Sequence, residues 1–304
     1  MSDGTLHVSC AAEGAYVPHS AALLHSVLAH AGALRVHVHF LHSPRLARGD
    51  GERVAAMVRR GGGEITFHAI ADDRVAGLPA FAPFTAAMWH RILLPELLPG
   101  VERVLYLDVD TLAVDSLEPL WATALGDSPV AAVTNVFQHN HTGRPGSLGL
   151  AGPEVYFNSG VLLLNLEAWR RRRVAAALRD LATARGPQLE WPDQDALNLV
   201  LSGDRVALHP RWNAMNSVFA FPSAAEVFGA RARDEAVARP GIRHFEGPGA
   251  NKPWHAACAQ PLRERWFEHR RQTPWPDVEL ETDPAPRRGL RRRVRQALTA
   301  IRPV

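Results

Sequence analysis

Two aspartates one residue apart, Asp108 and Asp110, follow the dense apolar run RVLYL at 103–107. Such a run reads as a buried strand, and ligands of open α/β sheets bind beyond the carboxyl ends of their strands. In an extended segment alternate residues point the same way, so the two carboxylates converge and can hold a hard divalent cation, Mn2+ or Mg2+. An arbitrary Asp-x-Asp can also do no more than end a strand in solvent; the apolar strand before it weighs against that. Far along the chain, HFEGPGANKPWH at 244–255 offers a histidine at a strand end, a turn containing Gly247 that permits close approach, and Lys252 before a rigid Pro-Trp step. Lys252 is the single lysine among 34 Lys and Arg. Its compact ammonium can follow a departing pyrophosphate, whereas a guanidinium presents a fixed planar fork. His244 would complete a mixed oxygen and nitrogen ligand set with Asp108 and Asp110. A third group, Asp193, Gln194 and Asp195, lies at an expected helix start. Asp193 can cap the helix there, or the group can meet sugar hydroxyls; spacing leaves both open.

The elements that must position these groups alternate. Strands are expected at 6–11, 35–41, 64–70, 103–107, 130–136 and 161–165, and helices at 18–30, 44–60, 84–98, 117–125, 167–185 and 193–202. Strands separated by helices of this length predict βαβ units, right-handed crossovers and a mostly parallel sheet covered on both faces, an α/β fold. Residues 138–152 have the composition of a substrate-side loop. After Arg211 the periodicity weakens.

With 304 residues, 46% hydrophobic and 21% charged, the chain is no disordered polymer and can bury a full core. No signal peptide and no bilayer-spanning stretch is read, so a cytoplasmic protein is expected. Two cysteines, Cys10 and Cys258, exclude a disulfide scaffold and a cysteine-rich zinc site. Residues 285–304 hold seven arginines and no acid; since the whole chain carries +3, the remainder is net −4. A mildly acidic body with a basic tail does not suit nucleic acid. In the tail Leu290, Val294, Leu298 and Ile301 form one stripe, with Arg288, Arg292, Arg295 and Arg302 opposite and Arg291 also in the membrane-facing set. That pattern fits an interfacial helix on an anionic membrane surface, peripheral on the cytoplasmic face of the inner membrane; a basic tail without fixed structure, or one packed against the acidic body, is the alternative.

Six segments in order carry a resemblance: Ala11, Ala12 and Tyr16 after the first strand; Trp89, His90 and Arg91; VLYLDVDTL; YFNSGVLLLNLEAWR at 156–170; DQDALN at 193–198; and HFEGPGANKPWH. Through them the chain resembles the glycosyltransferase family 8 enzymes, among them the bacterial lipopolysaccharide galactosyltransferases, and more distantly glycogenin. The resemblance implies a GT-A fold, a UDP-sugar donor, manganese (or magnesium) as cofactor, a glycan or glycolipid acceptor, and transfer of galactose or glucose with retention. It implies Asp108, Asp110 and His244 as metal ligands. Donor contacts would come from Ala11, Glu13, Tyr16, Arg91, Val109, Asn135, Asn158, Asp193, Gly247 and Lys252. Gln194 falls where the family places the group nearest the anomeric carbon, and Asp195 is the neighbouring carboxylate considered as a nucleophile. Retaining glycosidases use two carboxylates about 5 Å apart, but only one obvious candidate is present here. The expectation is therefore same-face attack, with Gln194 stabilising positive charge at the sugar and the leaving β-phosphate acting as base.

The chain also departs from the pattern: Glu13, Gly14 and Ala15 stand where close relatives carry Asp-Asp-Asn, and Asn135 where some have an acid. A phosphatase of the haloacid dehalogenase type would need threonine two positions beyond the second aspartate, where Leu112 stands; Thr111 is one position beyond. A sugar-nucleotide-binding peripheral membrane protein without catalysis is disfavoured by the complete set of acids, His244, Lys252 and Gln194. The division expected is a catalytic domain at 1–282 and the basic tail at 283–304.

Overall fold

The computed structural model describes residues 4–81, 85–277 and 279–282, so Arg288, Arg291, Arg292, Arg295 and the expected tail helix lie outside it. The strands are β1 (Thr5–Ala11), β2 (Arg35–His42), β3 (Glu64–Ala69), β4 (Arg103–Leu107), β5 (Thr111–Ala113), β6 (Val130–Thr134), β7 (Phe157–Asn165), β8 (Arg205–Ala207), β9 (Ala214–Met215) and β10 (Ile242–His244). Seven of them make one sheet in the order β3-β2-β1-β4-β7-β6-β8. The expected mostly parallel α/β sheet is present: β3, β2, β1 and β4 run parallel, β8 runs parallel to β6, and β7 alone is antiparallel to its neighbours.

Alternation along each strand feeds two apolar layers. Leu6, Val8, Cys10, Val36, Val38, Phe40 and Leu163 belong to one layer, which includes residues of the helices Val17–Ala29 and Arg48–Arg60. Tyr106, Leu162 and Leu164 face the opposite layer, which contains Trp89, Trp169, Leu178 and Leu197. Helices therefore cover both faces, and the carboxyl ends of β1 and β4 open at one edge. A smaller sheet, β5-β10-β9, stands there.

Several expected elements are altered. The helix expected at 44–60 begins at Arg48. Residues 84–98 yield a 3-10 segment, Ala86–Leu93, and one α turn, Leu94–Leu97, because Pro95 cannot donate into a continuous helix. The segment 117–125 gives only the turn Glu118–Trp121. The helix expected at 167–185 divides into Leu166–Arg171 and Val174–Arg185, since Arg173 sits at φ 54° and a left-handed residue cannot continue a right-handed helix. β7 starts four residues earlier than expected, and one helical turn, Arg144–Ser147, lies within the loop 138–152. Beyond Arg211 the weak periodicity conceals short elements: β9, β10 and the helices Asn216–Ala220, Ser223–Phe228, Ala230–Ala238 and Arg263–Arg270. Pieces this short carry too few residues for a period to show.

Leu163 is fully buried, opposite Leu105 on one side and Ala131 on the other. Leu163→Ala should cost about 2–5 kcal/mol, as deletion of a packed side chain leaves a cavity; denaturant unfolding measures it, and a loss under about 0.5 kcal/mol would mean that this strand is not central.

Candidate functional site

Asp108 and Asp110 lie at the edge where β4 turns into β5. The Asp108 backbone N–H donates to the Gly160 carbonyl on β7 at 2.8 Å, and the Thr111 hydroxyl donates to the Asp108 carbonyl at 2.8 Å, so the segment is fixed at both ends. β10 pairs antiparallel with β5, setting His244 opposite Thr111, and Phe245 N–H donates to the Asp110 carbonyl at 2.9 Å. Strand pairing thus delivers the imidazole. His244 Nε2 is 3.3 Å from Asp110 Oδ1, and one ligand atom each from Asp108, Asp110 and His244 lie within 4.8 Å of one another. This approach needs a glycine beneath it, because a Cβ on Gly160 would stand 2.3 Å from His244 Cε1.

A chain of amides fixes the imidazole. The Gly160 N–H can only donate, so at 3.0 Å it identifies the accepting oxygen of Asn158. Asn213 Nδ2 donates to that same oxygen at 2.8 Å, which leaves Asn213 Oδ1 to accept from His244 Nδ1 at 2.9 Å. One proton therefore sits on Nδ1, and Nε2 is the nitrogen that faces the carboxylates. Asn158 Nδ2 reaches Asn135 Oδ1 at 3.4 Å. Two carboxylates with an oriented imidazole, whose Nε2 gives up any proton it carries when a cation binds, form a donor set that fits a manganese- or magnesium-like cation.

Lys252 Nζ binds Asp110 Oδ2 and lies 3.4 Å from the Phe245 carbonyl. The turn before it contains Gly247 at φ 94°, a conformation that a side chain would strain. Burial works against charge on Asp110, but Lys252 and His244 together outweigh it and hold the carboxyl well below its ordinary range. Burial likewise opposes the charge of Lys252 and of His244, and Asp110 raises both.

On the other side of Asp108, the buried Arg91 donates to Asp108 Oδ1 at 2.9 Å and stands 3.3 Å from Asp193 Oδ2. Its guanidinium also donates to the Ser159 carbonyl at 2.6 Å and lies over Tyr106, 4.0 Å from the ring centroid. Burial pushes the Asp193 carboxyl up to about 6, with Asp108 adding to the rise and Arg91 opposing it.

Asp193, Gln194 and Asp195 leave the start of the helix Pro192–Leu201 in three directions. Gln194 Oε1 accepts from Ser159 N at 3.0 Å and Nε2 donates to Tyr156 Oη at 3.3 Å. Asp195 has no solvent exposure: it accepts from Tyr156 Oη at 2.6 Å, from Glu190 N at 2.9 Å, from Trp191 N at 3.0 Å, and from Arg144. Sequence reasoning gave no role to Arg144, Tyr156, Ser159 or Asn213; each acts through a partner distant in the chain, so no spacing marks it.

The structure brings Asp108, Asp110, His244, Lys252, Arg91, Asp193, Gln194, Asn158 and Asn135 into one connected group. Tyr16 stands on the rim, 41% exposed, edge-on to Trp254, whose indole stacks on His19 at 4.0 Å. Glu13 lies nearby on the loop after β1, 4.0 Å from Arg45, while Ala11 closes β1 and Val109 is half-buried between two apolar clusters.

Residues 7–258 match the sequence profile of glycosyl transferase family 8. General stress protein A of Bacillus subtilis is 30% identical over 196 residues, 63% of this chain and 67% of its own length. Lipopolysaccharide glucosyltransferase WaaO of Escherichia coli is 30% identical over 224 residues, 71% of this chain and 63% of its own length. The chain thus spans about two thirds of these curated relatives. The galactosyltransferase LgtC, crystallised with donor and acceptor sugar analogs, superimposes with a TM-score of 0.80 at 31% identity, covering 88% of this chain and 96% of that one. A further LgtC structure, of an active-site mutant with glutamine replaced by glutamate, gives 0.79 at 30%, with coverage of 88% and 96%.

Two outcomes test the site's geometry. Asn213→Ala frees the imidazole to turn and should weaken Mn2+ binding about 10- to 100-fold, with a lower melting temperature because buried Asn158 and His244 each lose a partner; unchanged affinity by calorimetry would deny the amide chain its role. Asp193 keeps its proton up to about pH 6 when folded but only to 3.8 when unfolded. The stability this group adds is thus complete below the lower value and lost as pH rises through the upper. In EDTA, the melting-temperature advantage of the wild type over Asp193→Asn should shrink from about pH 4 to 6 and then level off; a difference constant across that interval would contradict it.

Proposed function

Because the chain belongs to glycosyl transferase family 8 and is a glycosyltransferase with the GT-A fold, we propose that it transfers a hexose, galactose or glucose, from a UDP-sugar to a glycan or glycolipid acceptor, with a divalent metal and with retention. The observation that carries this reading is the meeting of Asp108, Asp110 and His244 within 4.8 Å. These three would hold Mn2+ or Mg2+, which when bound offsets charge on the donor's diphosphate. Lys252, already against Asp110, adds an ammonium for the departing UDP. Tyr16 offers an exposed ring to the uracil, with Glu13 and the backbone at Ala11 and Val109 beside it, and Gly247 lets the chain approach the phosphates. Arg91, Asn135, Asn158 and Asp193 supply the polar groups for sugar hydroxyls.

The surroundings of the two candidate catalytic residues support same-face attack. Asp195 is enclosed and hydrogen-bonded at both oxygens, which ties up the lone pairs a nucleophile needs. We read it as a positioning residue for Gln194, through the Tyr156 hydroxyl that touches both. Gln194 then stabilises positive charge at the sugar ring, and the leaving β-phosphate takes the acceptor proton. The basic tail extends the reading on sequence alone: Arg288, Arg291, Arg292 and Arg295 would meet anionic lipid while no helix among the described residues is long and apolar enough to cross a bilayer.

A panel of nucleotide sugars with Mn2+ tests the reading: UDP-galactose or UDP-glucose should be turned over, EDTA should abolish turnover, and Asp110→Asn should lower kcat by about 10²-fold or more. Silence toward every UDP-sugar would remove it. Mass spectrometry of the working enzyme should find no sugar on Asp195, and an adduct there would replace same-face attack with two displacements. Liposome flotation should fall on deletion of 283–304; equal recovery would remove the membrane role.

A further inference from the structure

The sheet face opposite the first apolar layer carries histidines where a strand would ordinarily place apolar or β-branched side chains. Leu6, Val8 and Cys10 of β1, and Val36, Val38 and Phe40 of β2, point into the core; His7, His37 and His39 point the other way. Register aligns them: His7 pairs with His37, Ser9 with His39, and Leu41 with His68 on β3. The apolar cover of this face includes Leu41 and Trp89, toward the carboxyl ends of the strands, and leaves His7 and His37 half-buried.

We propose that His7, His37 and His39 form a second cation site, one that takes a borderline transition metal such as Zn2+, Ni2+ or Cu2+ through imidazole nitrogen. One nitrogen from each of the three lies within 4.8 Å of the others. His7 Nδ1 and His39 Nε2 face one another at 3.0 Å. Two nitrogens bound to one tetrahedral zinc at about 2.1 Å are themselves roughly 3.4 Å apart, so a metal can replace that hydrogen bond with little movement. The outer contacts are those of ligands held in place. His39 Nδ1 meets His68 Nε2 at 3.3 Å, leaving Nε2 for the metal; His37 Nε2 meets Thr66 Oγ1 at 2.9 Å, leaving Nδ1, 3.9 Å from Glu64 Oε2, for the metal.

One further observation agrees. Ser9 Oγ, buried on the same face beside His39, has no hydrogen-bond partner among the described residues. The all-nitrogen donor set selects against manganese and magnesium, which prefer oxygen, and so separates this site chemically from Asp108 and Asp110. It is separate in space as well: His7 lies four residues before Ala11, about 13 Å back along β1 from the edge that holds the carboxylates.

The test is a Zn2+ titration of metal-stripped, tag-free full chain in saturating Mg2+, which occupies oxygen sites but competes poorly for imidazole. Wild type and Asp108→Asn/Asp110→Asn should both bind a Zn2+ equivalent that His7→Gln/His37→Gln binds at least about tenfold more weakly. Equal binding by the histidine variant, or loss confined to the aspartate variant, would overturn the proposal. Should the histidine variant fold poorly, Cu2+ bound to the wild type decides: its electron paramagnetic resonance spectrum should show coupling to several imidazole nitrogens, and a spectrum with oxygen ligands only would overturn it.

Discussion

Three carboxylates, Asp108, Asp110 and Asp193, crowd the edge of the sheet, and the surrounding architecture answers the cost of placing them there. An uncompensated charge out of water costs several kcal/mol. Arg91 spans Asp108 and Asp193, while Lys252 and His244 converge on Asp110. The cationic groups come from three separate stretches of chain, so the 3-10 segment at Ala86–Leu93, the strand β10 and the turn after it are each held to the sheet partly by this balance. A diphosphate and a divalent cation entering together would preserve it, since one brings the charge that the other removes.

The small sheet is what makes the arrangement possible. β5 is three residues long and would be unremarkable alone, yet its pairing with β10 turns a residue far along the chain into a neighbour of Asp110. Gly160 contributes by what it lacks: with a Cβ there, β7 could not lie against both the Asp108 backbone and the His244 ring.

The α/β class, the parallel half of the sheet and the carboxylates after β4 were legible in the sequence because RVLYL is a dense apolar run and the first strands alternate with helical stretches of regular length. His244 and Lys252 were legible by residue chemistry, and their juxtaposition with Asp108 and Asp110 through resemblance. The rest was hidden for physical reasons. β5, β9 and β10 are too short to show alternation. The break at Arg173 depends on one residue's left-handed backbone, which an arginine does not advertise. Asn213 and Arg144 are defined by contacts to residues distant in sequence, and the enclosure of Asp195 follows from Tyr156 and the loop amides rather than from its neighbours Asp193 and Gln194.

Arg144 belongs to the loop 138–152, yet its guanidinium reaches Asp195 on the helix that carries Gln194. The loop and the helix start therefore share one tether. Whatever steadies the loop also steadies the amide, and by reciprocity whatever seats the amide favours the loop's ordered form. Two flanks of the cleft are thereby joined through a single guanidinium.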